Sequence, residues 1–107
     1  MKPSETLALA RAKINTPEKW TQRVFARDSA GRQCGDGSPD ARCWCLLGAL
    51  NSLYAPYFVC PDTVLRYVHL AIGDDPIDAW NDAAGRSHHE VLAALSRACA
   101  IAIAEGQ

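Results

Sequence analysis

Residues 43–53, CWCLLGALNSL, have only Asn51 and Ser52 as polar side chains. A helix on a protein surface alternates an apolar stripe with a charged face, so a stretch this uniformly apolar has to be covered on every side. Pro39 supplies a helix-starting residue and Pro56 a stop, which predicts a buried central helix over about 39–54. Cys45, Gly48, Ala49 and Ser52 recur at helical spacing, and such a small-residue stripe lets a neighbouring helix approach closely. The rest of the chain is expected to assemble around this element.

The flanking sequence carries further helix signals. Ser4 reads as a cap for a first helix over about 5–14, with Leu7, Ala10 and Ile14 on one face. Thr16-Pro17-Glu18 starts a brief helical turn through Trp20. Pro61-Asp62 opens another helix, with Val64, Leu65, Val68 and Ile72 facing inward and Gly73 at its end. A short segment follows Asp75-Pro76 and stops at Gly85. Ser87-His88-His89-Glu90 has the spacing of a capping box, and it begins a last helix over about 88–105 whose stripe of Val91, Leu92, Leu95, Ala98, Cys99, Ala102 and Ile103 is the natural partner of the central helix. From Arg23 the period changes: Val24 and Ala26 alternate with Arg23, Phe25 and Arg27, and Asp28-Ser29-Ala30-Gly31 favours a turn, so residues 23–34 are a small β-hairpin or an extended loop, and Gly35-Asp36-Gly37-Ser38-Pro39-Asp40 is the clearest loop. The expected fold is mainly α, one domain over 1–107, with four to six helices.

Charge and cysteine usage narrow the function classes. Hydrophobic residues make up 49% and charged residues 21%, the balance of a globular domain and not of a disordered one. No apolar run approaches the roughly 20 residues of a membrane span, and the N-terminus lacks the pattern of an export signal. Residues 1–53 carry a net +3 and residues 54–107 a net −4, too little positive charge for a dedicated nucleic-acid binder. The odd number of cysteines, five, predicts free thiols and a cytoplasmic setting. Cys34, Cys43, Cys45, Cys60, His69, His88 and His89 are all capable metal ligands, but a single C-x-C without a second matched pair is poor zinc spacing, and no metal or other cofactor is expected.

Two places have chemistry worth weighing. Cys45 is either a shielded core thiol in an apolar run or, beside a histidine, a nucleophile. The segment Trp80-Asn81-Asp82, followed by Gly85-Arg86-Ser87-His88, concentrates polar groups suited to a hydrogen-bonded turn, with Asp82 and Arg86 as partners at i,i+4, or to a ligand site using Asn81, Asp82, Arg86 and His88. Together these residues, Trp44-Cys45 with Leu47-Gly48-Ala49-Leu50, then Trp80-Asn81-Asp82, Gly85-Arg86-Ser87-His88 and Glu90-Val91-Leu92, resemble a family of small uncharacterised bacterial and phage proteins, a domain of unknown function. The resemblance covers roughly residues 20–100 and implies a class but no mechanism. A non-enzymatic accessory protein that binds a protein partner is the leading expectation. The alternatives are a Cys-dependent hydrolase or transferase, using Cys45 with His88 or His69 and with Asn81 or Asp82 as orienter, and a nucleic-acid-associated protein.

Overall fold

The computed structural model describes residues 1–107 and runs, in chain order, through α1 (Pro3–Lys13), a 3-10 turn (Pro17–Lys19), β1 (Ala26–Arg27), β2 (Gln33–Cys34), β3 (Cys43–Trp44), α2 (Leu46–Ser52), α3 (Asp62–Ile72), α4 (Ile77–Asp82) and α5 (His88–Ala104). The protein is mainly α, with five helices and a small three-stranded antiparallel sheet. No helix is long and apolar enough to cross a membrane.

Several helix ends follow from their own sequence. Pro3 begins α1, and the Glu5 carboxylate reaches back to accept the Lys2 N–H at 2.9 Å, so the helix starts before Ser4. Ser4 instead donates its N–H and its hydroxyl to the Gln107 carbonyl, joining the two ends of the chain. Gly73 ends α3 at φ 97°, a backbone conformation that costs a side-chain-bearing residue energy, and its N–H donates to the His69 carbonyl at 2.8 Å. At the start of α5 the Ser87 hydroxyl accepts the Glu90 N–H at 3.1 Å while the Glu90 carboxylate accepts the Ser87 N–H at 2.9 Å, the reciprocal pair that Ser-x-x-Glu spacing predicts.

The core is shared among helices. Leu7 and Ile14 from the first helical region, Leu46 and Leu50 from α2, Val64 and Val68 from α3, and Val91 and Leu95 from α5 are all buried together. The last helix lies mainly along α1 and α3, whereas α2 packs on α1 and α4. The expectation that α5 and the central helix are principal partners is therefore corrected. The inner face of α3 also gains Tyr67, whose ring is buried while its hydroxyl donates to Glu105 at 2.9 Å; a tyrosine can enter a core when its polar end finds such a partner.

The larger correction concerns the central helix, which does not run from 39 to 54. Residues 38–41 form a turn closed by the Ala41 N–H on the Ser38 carbonyl, and Cys43–Trp44 is a strand. β1 lies in the middle of the sheet, with Ala26 opposite both Cys34 and Trp44 and Arg27 opposite both Gln33 and Cys43. The flanking amides extend the pairing: Arg42 N–H donates to the Arg27 carbonyl at 2.8 Å and Cys45 N–H to the Phe25 carbonyl at 3.1 Å. These backbone groups are satisfied across the sheet, so the helix begins only at Leu46. The segment around 23–34 is accordingly a hairpin, its turn held by Asp28, whose carboxylate accepts the Ala30 and Arg32 N–H groups at 2.9 Å each.

Gly48 is a consequence of this geometry. A Cβ built on it would collide with the Phe25 carbonyl oxygen and lie 2.9 Å from the carbonyl carbon, so it faces the backbone leading into β1 and not another helix. The neighbour is backbone already engaged in the sheet and cannot swing aside. Gly48→Ala is therefore expected to cost about 1–3 kcal/mol, and Gly48→Leu more. Gly35→Ala, with no heavy atom near the added methyl group, should stay within about 0.5 kcal/mol. Urea unfolding of the three variants checks the difference, and an unaltered midpoint for Gly48→Ala would contradict the close approach.

Candidate functional site

The polar centre of the molecule is Asn81, on α4 and 0% exposed. Its side-chain oxygen accepts the Trp20 indole N–H at 2.8 Å and the Leu46 N–H at 3.0 Å, and its amide nitrogen donates to the Thr21 carbonyl at 3.1 Å and the Asp82 carboxylate at 3.0 Å. All four hydrogen-bonding capacities of the amide are filled. Around it the Gln22 amide donates to the Asn81 carbonyl at 2.8 Å, and Asp82 accepts the Arg23 N–H at 2.8 Å. One side chain thus ties the segment before β1, the start of α2 and α4 into a single unit.

Arg23 occupies a strained place in that unit. Its φ is 75°, in the left-handed region, which costs a residue with a Cβ about 1–2 kcal/mol. The Asp82 carboxylate holds the Arg23 N–H in that conformation, and Arg23 lines the same cleft as Asp82.

Cys45 is the N-cap of α2: its sulfur accepts the Gly48 N–H at 3.2 Å, and the residue is 3% exposed. Burial pushes its thiol up to about 11; the Gly48 N–H opposes the shift, and the charges of Asp82 and Asp78 add to it. The imidazoles are engaged elsewhere. His88 Nε2 lies 2.6 Å from the Ile14 carbonyl oxygen, with the ring beside Trp20, and His69 Nδ1 lies 3.0 Å from the Gly73 carbonyl oxygen. The fold therefore brings Cys45, Asn81 and Asp82 into one neighbourhood, and hydrogen-bonds neither His88 nor His69 to the thiol. No three of the His, Cys, Asp and Glu side chains gather as metal donors.

Arg86 belongs to a different network from the one its spacing suggested. It donates through Nε to the Trp80 carbonyl at 2.9 Å and through Nη1 to Glu90 at 3.2 Å, with its guanidinium carbon 3.9 Å from the centre of the Trp80 ring. Asp82 is not its partner. The Arg86 charge adds to the Ser87 hydrogen bonds that hold the Glu90 carboxyl below the usual carboxylate range.

A half-open cleft of about 160 Å³ lies beside the Asn81 unit. Cys45 lines it together with Asp78 and Asp82 of α4, and Arg23 and Gln33 contribute the other polar side chains. Val24 and Phe25 supply its apolar surface. Of these, the sequence had singled out only Cys45 and Asp82. The i,i+4 pair of like charges, Asp78 and Asp82, was the available local signal, since such a pair disfavours a helix without compensation. Nothing local marks Arg23 or Gln33.

The arrangement is a mainly α domain in which a three-stranded sheet seats the start of a buried helix on a polar asparagine unit. The family of unknown function DUF6197 matches residues 1–101, and the chain belongs to it. Comparison with curated proteins gives no match, and comparison with solved structures gives none either.

Two expected outcomes follow from this geometry. Asn81→Ala strands the buried Trp20 indole N–H and Leu46 N–H, each worth about 1–3 kcal/mol when left unpaired, so a loss of roughly 3 kcal/mol or more in urea unfolding is expected. A loss no greater than that of an ordinary surface substitution would refute the role of the amide. For Cys45, the folded-state value of about 11 lies above the ordinary 9.0, so the folded state keeps its proton longer than the unfolded chain. The resulting contribution to stability is complete below pH 9.0 and disappears as the pH rises through about 11. Cys45→Ala should flatten the fall in stability across this window, and iodoacetamide at pH 7 should modify Cys45 far more slowly in native than in unfolded protein. Rapid native labelling at that position would point to a nucleophile.

Proposed function

We propose that this protein is a small non-enzymatic accessory protein of bacterial or phage origin that acts in the cytoplasm by binding a protein partner through the loop between α2 and α3. The observation that carries this reading is the run Tyr57-Phe58-Val59, whose residues are 87%, 74% and 69% exposed in succession. Scattered apolar residues are ordinary on a surface, but adjacent exposed aromatic side chains such as Tyr57 and Phe58 are of the kind enriched at protein interfaces.

The loop is held from below, which favours binding because little order has to be imposed on association. Tyr54 and Thr6 share a hydrogen bond of 2.7 Å between their hydroxyls, and the Asn51 side chain accepts the Cys60 N–H at 2.8 Å. Gly37 abuts Ala55 so closely that a Cβ on the glycine would collide with the alanine methyl group. The cytoplasmic assignment is supported by five cysteines that are all free thiols. A protonated Cys45 is a weak nucleophile, which favours the binding reading over the Cys-dependent hydrolase or transferase.

The test pairs stability with binding. Tyr57→Ser and Phe58→Ser, alone and combined, should leave urea unfolding within about 0.5 kcal/mol of wild type because the side chains touch solvent. A partner isolated by cross-linking from the native cell should bind wild type and lose at least about tenfold in affinity to the double variant. Equal binding by the variant would move the interface elsewhere, and a partner lost only on Cys45→Ala would favour the enzyme.

A further inference from the structure

The cleft beside Asn81 combines charges of both signs that the fold leaves without an ion-pair partner. Asp78 uses one carboxylate oxygen on the Ala79 N–H, and Asp82 uses one on the Arg23 N–H and the Asn81 amide; the second oxygen of each makes no hydrogen bond within the chain. The Arg23 guanidinium donates to no protein group and makes no ion pair with either carboxylate, although all three residues line the same cleft. A flexible arginine near two carboxylates ordinarily pairs with one of them. Here its backbone is fixed at a positive φ by Asp82 itself, which sets where the side chain begins.

An independent feature lies at the same place. The S–H groups of Cys60 and Cys99 donate to the Pro61 and Ser4 carbonyls. That of Cys45, 3% exposed and lining the cleft, has no acceptor, although its sulfur accepts the Gly48 N–H.

We propose that this cleft binds a small zwitterion of the α-amino-acid type. The ligand's ammonium group meets the free oxygens of Asp78 and Asp82, its carboxylate meets Arg23, and its short side chain lies over Val24, Phe25 and Cys45. A simple cation would satisfy the two acids and leave Arg23 unused, whereas a simple anion would face two like charges. A half-open cleft of about 160 Å³ suits a ligand of this small size. The proposal is independent of the docking role of Tyr57-Phe58-Val59, because the residues of the two features do not overlap.

The test titrates the isotopically labelled full chain with L-alanine, following backbone amide resonances, with ethylamine and propionate as single-charge controls. Saturable shifts at Arg23, Gly48 and Ala79 are expected with L-alanine, at an affinity at least about tenfold tighter than with either control. Arg23→Gly separates binding from folding, since glycine adopts φ 75° without strain: the variant should melt at or above the wild-type temperature and bind L-alanine at least about tenfold more weakly. Asp78→Asn, which retains an oxygen for the Ala79 N–H, should weaken binding similarly. No saturable shift up to the solubility of L-alanine, binding of ethylamine as tight as that of L-alanine, or undiminished binding by Arg23→Gly would each overturn the proposal.

Discussion

The buried amide of Asn81 is the interaction on which the rest of the structure depends. A side chain in the interior with two donors and two acceptor sites is costly unless every one is satisfied, and here the partners are Trp20 and Thr21 from one stretch, Leu46 from a second and the neighbouring Asp82. Its oxygen receives the first N–H of α2, which would otherwise be an orphan at the helix start, and the Trp20 indole, which would otherwise be a buried donor without an acceptor. The amide therefore works as a three-way joint. It positions the residues before β1 relative to α2 and α4 more narrowly than apolar packing alone would, because hydrogen bonds are directional and hydrophobic contacts are not.

That joint explains why the apolar stretch around Trp44 divides into strand and helix. The backbone of 42–45 is satisfied by Arg27 and Phe25 in the sheet and by the Thr21 N–H on the Trp44 carbonyl, and the chain can turn into α2 only where Asn81 and the Cys45 sulfur are ready to accept the exposed helix N–H groups. The Cys45 thiol is thereby given a capping role and enclosed, and burial raises its pKa in spite of the helix start beside it. Gly48 then becomes necessary because the first turn of α2 rests on the Phe25 carbonyl. The small-residue spacing had a real cause, although the surface opposite Gly48 is sheet backbone and not a second helix.

The two surfaces that carry the functional readings differ in origin. The Tyr57-Phe58-Val59 loop presents apolar groups that the core has no room or need for, on a base braced by Tyr54, Asn51 and Gly37. The cleft at Arg23 is a by-product of the Asn81 joint: the same Asp82 that supports Asn81 also constrains Arg23 and leaves its second oxygen without a hydrogen bond in the chain. Rigid placement is what such polar groups need in order to select a ligand, since mobile side chains lose that selectivity to conformational entropy.

By itself the sequence determined the features whose causes lie within a few residues: the mainly α class, the extent of α3 with its Gly73 stop, and α5 with its Ser87–Glu90 capping pair. In each case the donor and acceptor, or the glycine and the turn it ends, are neighbours in the chain, so local spacing is enough. The tertiary structure alone decided where α2 begins, which partner Asp82 takes, and that Arg23, Gln33 and Asp78 share a cleft with Cys45. Asp82 shows why. Its spacing to Arg86 was helical, but α4 ends at Asp82 and the chain turns away, so the carboxylate meets the N–H of Arg23, 59 residues earlier. Arg86 finds Trp80 and Glu90 on its own side of that turn. Such choices depend on which distant backbone groups still lack a partner once the core has packed, and no local pattern records them.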